Sequence, residues 1–157
     1  MELHEFLEQH KEDFDQGIIK EEYVGEIFDF LIEMANSDIN AVKSYLNILY
    51  IHLLKYQYQP VKQSKSWINS IRYSSRQLTW FLSTKSLRNK ISKDTQQFVY
   101  EKSIRDAVRE TGLLSDIFPE YLPDEFSLDN LLDDDFIDQY LIKYAHTFQA
   151  KKALNIR

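Results

Sequence analysis

Residues 37–60 read SDINAVKSYLNILYIHLLKYQYQP. Ile39, Val42, Leu46, Leu49, Leu53 and Tyr56 recur at intervals of three and four, so they share one face of a helix, and Tyr45, Ile48 and His52 widen it. A stripe that broad belongs to a helix central to a bundle. Ser37 is placed as its N-cap and Asp38 suits its first turn. Pro60 bounds it, because proline disfavours helical geometry in the residue before it.

The same periodicity extends outward in both directions. Leu3, Phe6, Leu7, His10 and Phe14 predict a first helix from about Glu2 to Gln16, ended by Gly17. Tyr23, Val24, Ile27, Phe28, Leu31, Ile32 and Met34 predict a second, from Glu21 to about Ala35–Asn36. Beyond Pro60, Ser64 or Ser66 caps a fourth helix whose apolar face is Trp67, Ile68, Ile71, Leu78, Phe81 and Leu82. Trp67 and Trp80 are both expected in the core. After a break near Ser83–Ser86, residues 87–112 form one kinked helix, or a short helix and a long one, stopping at Thr111-Gly112. Residues 113–126, with Pro119 and Pro123 among aromatics, read as an ordered loop. Ser127 opens a short helix through Leu132. Phe136, Ile137, Tyr140, Leu141, Tyr144 and Phe148 give a last one, to about Ala150. The expectation is an all-α fold: a single-domain antiparallel helical bundle of five to seven helices, with 139–157 a C-terminal helical extension.

Composition supports this. Ten Phe, ten Tyr and two Trp supply a core, while three Gly and three Pro are too few for a turn-rich β fold. With no Cys, disulfides, thiolate metal sites and a thiol nucleophile are excluded. The acidic, amphipathic N-terminus does not read as a signal peptide, and the apolar run Leu46–Leu54 is short of the ~20 residues a bilayer demands. A cytoplasmic protein is expected.

Charge is segregated. Residues 1–38 hold twelve acids against Lys11 and Lys20. Residues 39–93 hold ten basic residues and no acid. Residues 94–138 hold thirteen acids against Lys102, Arg105 and Arg109. Residues 139–157 hold four basic residues and no acid. Within the basic stretch Lys55, Lys62, Lys65, Arg72 and Arg76 interleave with Tyr56, Tyr58, Trp67, Tyr73 and Trp80. Cations that neutralise phosphates beside rings that stack on bases suit nucleic acid. The competing reading is internal pairing with the protein's own acidic helices, and the acidic total argues for it.

In order along the chain stand His52-Leu53-Leu54-Lys55, Gln57, Gln59-Pro60, Ser66-Trp67, Ile71-Arg72 and Arg76. Then come Tyr100, Ile104-Arg105, Glu110-Thr111-Gly112-Leu113, Phe118-Pro119, Pro123 and Leu131-Leu132-Asp133-Asp134-Asp135-Phe136. This pattern resembles the bacterial family called "domain of unknown function 29", over roughly residues 20–137. Members carry a Glu-Glu-Ile-Glu-like run before the central helix. Here Asp29-Phe30-Leu31-Ile32-Glu33-Met34 stands there, with Glu33 at the place of the last acid. The resemblance implies an all-α fold and no particular activity.

The remaining candidates are few. His52 lies beside the inward stripe, three residues from Lys55. If the second and third helices pack antiparallel, Glu33 reaches it, making His52 and Glu33 a candidate functional pair and, with Lys55, an enzyme pocket. A hydrogen-bonded core histidine is the plainer reading. No metal site is expected: His4, His10 and His146 lack ligand spacing, and Asp133-Asp134-Asp135 falls where a helix begins and acids are favoured. No cofactor is expected, since Gly17, Gly25 and Gly112 are too scattered for a phosphate loop. Nor does any Arg precede a His with four to six residues between them, the motif of one class of small helical ribonucleases. The functional expectation is therefore a non-enzymatic binding or adaptor protein. It would use the Lys62–Arg76 face and the basic tail on a protein partner or in self-association. A nucleic-acid-associated regulator using 55–76 stands second and the Glu33/His52/Lys55 enzyme third.

Overall fold

The computed structural model describes residues 2–156. Among these the fold is all-α, with no strand and nine α-helices. They divide between two compact units, Met1–Asn40 and Ala41–Arg157.

The first unit contains α1 (Leu3–Gln9), α2 (Lys11–Asp15) and the start of α3 (Glu21–Tyr58). The single helix expected over residues 2–16 is interrupted at His10. Gly17, at φ +74, ends α2 in a left-handed turn. Ile18 N–H donates to Asp13 O and Gly17 N–H to Phe14 O, which satisfies the last carbonyls. Phe6 is buried against Tyr23 and Phe30, and His10 and Phe14 pack on Tyr23. The Tyr23 hydroxyl donates to Asp13 at 2.7 Å.

The second and third expected helices are one continuous helix, α3, and the Ser37 cap does not form. The physical reason lies at residues 35–37. They include neither Gly nor Pro, Ala35 is the best helix former, and Asn and Ser in a helix interior cost only several tenths of a kcal/mol. Nothing there outweighs an unbroken hydrogen-bond ladder.

In the second unit, residues 42–56 of α3 are the centre. Val42, Leu46, Leu49, Tyr50, Leu53, Leu54 and Tyr56 are fully buried. Ser64 caps α4 (Lys65–Phe81), accepting from Trp67 N–H. Residues 83–92 then carry α5 (Lys85–Lys90) and the Ser92 cap of α6 (Lys93–Thr111). Gly112, at φ +73, stops α6 as expected. Cross-helix pairs give the directions. Lys55 meets Trp67 and Tyr45 meets Phe81, so α4 runs antiparallel to α3. Asn47 meets Asp106 and Lys55 meets Glu110, so α6 runs parallel to α3.

The chain closes with α7 (Leu128–Leu131), α8 (Asp134–Lys143) and α9 (Phe148–Ala153). Asp133 accepts from Asp135 N–H at the start of α8, so the aspartate run caps a helix. The last expected helix is broken between Tyr144 and Thr147, and Thr147 caps α9. Residues beyond 138 enter the core: Tyr140, Leu141 and Ala150 are buried. Tyr56 hydroxyl donates to Leu141 O and Tyr140 hydroxyl to Leu53 O. Phe148, expected inward, is 80% exposed. Arg157, one of the basic residues of the tail, lies outside the described residues.

Gln63 organises this closure. Only 3% exposed, its amide NH₂ donates to Tyr56 O and Tyr144 O, both at 2.7 Å. Its side-chain oxygen accepts from His146 N–H at 2.8 Å. The Tyr56 carbonyl needs that donor, because residue 60, which would supply the next helical N–H, is proline.

A candidate partner-binding face on the fourth helix

α4 separates its residues sharply by face. Ile68, Ile71, Ser74, Ser75 and Leu78 are buried, and Ser75 hydroxyl donates to Leu131 O at 2.6 Å. The opposite side steps by 4, 4, 3 and 4 through Lys65, Asn69, Tyr73, Arg76 and Trp80, all exposed. That spacing keeps the five on one helical face. Tyr73 is 56% and Trp80 71% exposed. Trp80 is therefore not core, contrary to expectation. The spacing from Lys65 is the signal that places it outward, and the aromatic character of the residue hid it. Trp67 is half-buried, with the Lys55 ammonium 4.6 Å from its ring centre.

The five cations singled out in the sequence part into two groups. Lys55 is held between Trp67 and Glu110, 3.2 Å from the carboxylate, with only 13% of its side chain exposed. Arg72 pairs with Asp138 at 3.2 Å. Lys62, Lys65 and Arg76 are exposed and, among the described residues, have no carboxylate within ion-pair distance. Internal pairing thus accounts for Lys55 and Arg72 and leaves Lys62, Lys65 and Arg76 open. Lys65 and Tyr73 also border a shallow depression with Ser66, Asn69 and Ser70.

His52 is partly buried on α3, with Nδ1 2.8 Å from Ile48 O. A carbonyl only accepts, so Nδ1 carries the proton in this bond. Burial lowers the His52 pKa; the bond to Ile48 opposes that, and Lys55 adds to the lowering. Glu33 and His52 lie on the same continuous helix, so the antiparallel turn that was to bring them together is not formed. Glu33 itself is exposed. A cleft of about 700 Å³ in the second unit, lined by Arg88, Lys93, Gln97, Asp124 and Asp129 among others, contains no histidine. Its Arg88 is paired with Asp129.

These features define a small all-α protein without cysteine. Among its described residues no group of His, Asp or Glu is arranged to hold a metal ion, and no helix is long and apolar enough to cross a membrane. The chain belongs to the family described as "Domain of unknown function DUF29", which it matches over residues 4–137. The match begins earlier than the motifs alone suggested and ends where they end. No curated protein and no solved structure matches the chain.

Proposed function

We propose that this is a non-enzymatic binding or adaptor protein of the cytoplasm, and that the outward face of α4 is where a partner protein docks. The observation that carries the reading is Trp80 and Tyr73 standing exposed beside cations that, among the described residues, have no carboxylate within ion-pair distance. Trp, Tyr and Arg dominate interface hot spots, since each combines a large contact area with a polar handle. A positive face of this kind fits a partner surface with acidic residues around an apolar patch.

Affinity purification from a native lysate, with the unaltered chain beside Lys65→Glu/Arg76→Glu, tests it. The expected result is a defined set of proteins retained by the unaltered chain and lost by the variant, with the same circular dichroism for both. Equal retention by both would remove the face from the argument.

The interleaving of Lys65, Tyr73, Arg76 and Trp80 also supports a second reading, single-stranded nucleic acid. Anisotropy of labelled RNA and DNA oligonucleotides decides between them. Tight binding that falls steeply with salt supports nucleic acid, and no binding at low salt eliminates it.

A further inference from the structure

The cleft of about 700 Å³ in the second unit lies where the charge of the chain changes sign. Residues 39–93 hold no acid, and residues 94–138 hold thirteen acids against three basic residues. Residues 88–97 supply one part of its lining and residues 122–129 the other. The two are fastened together: Arg88 pairs with Asp129, and Gln97 Oε1 accepts from Leu122 N–H at 2.8 Å. The cleft is therefore formed before any ligand enters, as sites for small molecules usually are, and its size is in their ordinary range of about 300–1,000 Å³.

Gln96 points to a ligand. It lines the cleft yet is only 7% exposed. Its Nε2 donates to Ile91 O at 3.2 Å, which fixes the other end of the amide as oxygen. Among the described residues no group donates to that Oε1. Nor is it sealed in: the fully enclosed side-chain atoms without a partner are Tyr50 Oη and Ser74 Oγ. Gln96 Oε1 thus keeps an opening, and the cleft is the opening that Gln96 lines. Water satisfies such an acceptor until a ligand N–H takes its place.

The surrounding charges narrow the ligand's chemistry. Arg88 and Asp129 neutralise each other. Asp94 stands in the first turn of α6, where the helix dipole favours an acid. Lys93 and Asp124 remain, both exposed and, among the described residues, without an oppositely charged group within ion-pair distance. A ligand with one charge meets its complement at one of them and its like at the other. A ligand with an ammonium and a carboxylate matches both. Ile91 and Leu128, nearly buried, line the cleft with Leu122, so an apolar side chain finds a surface to cover. The volume corresponds to a cube about 9 Å on a side. An extended chain spans about 3.3–3.6 Å per residue, so two or three residues reach across it.

We propose that this cleft binds a free short peptide of two or three residues. The peptide's carboxylate meets Lys93, its ammonium meets Asp124, and a backbone N–H between them donates to Gln96 Oε1. A free amino acid lacks that amide N–H, and a segment inside a longer chain lacks the two charged ends. None of the residues lining the cleft belongs to α4, so the site is separate from the docking face proposed above.

Nuclear magnetic resonance of the nitrogen-15-labelled full chain tests the proposal, with the Gln96 side-chain amide as the direct reporter. The probes are Ala-X-Ala tripeptides, X varied over the coded residues, each at millimolar concentration. The expected result is a saturable shift of the Gln96 amide and of backbone signals from 88–97 and 122–129, largest where X is apolar. Acetylating the N-terminus or amidating the C-terminus should each weaken binding about tenfold, the loss of one charge-assisted hydrogen bond. Lys93→Gln should then bind the free and amidated peptides alike, and Asp124→Asn the free and acetylated ones. That comparison isolates each contact, and both residues are exposed, so the fold is kept. Lys65→Glu/Arg76→Glu should bind as the unaltered chain does. No shift with any tripeptide overturns the proposal. So do blocked peptides that bind as well as free ones, or a preference for free ends that survives Lys93→Gln and Asp124→Asn. Alanine or putrescine moving the Gln96 amide as strongly as a tripeptide overturns it too, because the cleft would then read an amine and not a peptide. Failure here leaves the α4 reading standing, and loss of the α4 reading leaves this one.

Discussion

Replacing Gln63 with Leu keeps the volume and removes every polar atom that holds the α3–α4 junction to residues 144–146. Three backbone groups lose their partners: the carbonyls of Tyr56 and Tyr144 and the N–H of His146. An unsatisfied buried group costs about 1–3 kcal/mol. The Tyr56 bond is buried and takes a value near the middle of that range; the other two are part-buried, so water recovers some of their loss. Taken together the variant should lose about 3 kcal/mol, against a total stability of about 5–15 kcal/mol for a typical domain. Urea unfolding at 25 °C, followed by tryptophan fluorescence and by circular dichroism, measures it. The midpoint should fall with little change in the denaturant slope, because the surface exposed on unfolding is nearly the same. A loss below about 1 kcal/mol, the net worth of one ordinary hydrogen bond, would refute the reasoning. It would mean that solvent satisfies these groups as well as Gln63 does.

Three further outcomes follow from the same geometry. Burial holds the His52 pKa below its ordinary 6.5 in the folded chain, so the unfolded chain binds the proton first as pH falls. That contribution to stability is complete above about 6.5 and is lost as pH drops toward the folded value; unfolding curves from pH 8 to about 5 should show the slope, and His52→Gln should reduce it. Trp80→Phe should change stability by no more than about 0.5 kcal/mol, as an exposed site does. Its fluorescence should shift to the blue, because the remaining Trp67 is half-buried; an unshifted spectrum would contradict the exposure of Trp80. Gly112→Ala should cost about 1–2 kcal/mol, since an L side chain resists the left-handed conformation at φ +73; an unchanged melting temperature would count against that strain.

Local chemistry was readable in the sequence wherever a short-range rule decided the outcome. Ser64, Ser127 and Asp133 cap the helices they precede. Gly112 stops α6, Pro60 ends the run begun in α3, and the α3 stripe from Val42 to Tyr56 is the buried centre of its unit. Ser37 misled because a capping residue marks a helix start only where the preceding turn cannot continue, and Ala35–Asn36 allow it to continue. Tyr144–Thr147 misled in the opposite sense. The break there depends on Gln63, more than eighty residues away in sequence, and no window of neighbouring residues contains that information. For the candidate site, the basic stretch was visible but its sorting was not. Whether Lys55 and Arg72 are paired depends on Glu110 and Asp138, which only the packing of α6 and α8 brings near.

The junction at Gln63 also sets a clock on biosynthesis. Its partner Tyr144 is made 81 residues later. At ~5–20 residues per second, translation takes roughly 4–16 s to cross that distance. Throughout that interval the Gln63 side chain lacks the Tyr144 carbonyl and the His146 N–H that it will bond, and the side chains that Tyr140 and Leu141 will cover lie open. α3 and α4 can form early, but the second unit cannot settle until α8 arrives. A nascent chain in that interval would display an apolar, positively charged surface, and that is when a chaperone would have most to hold.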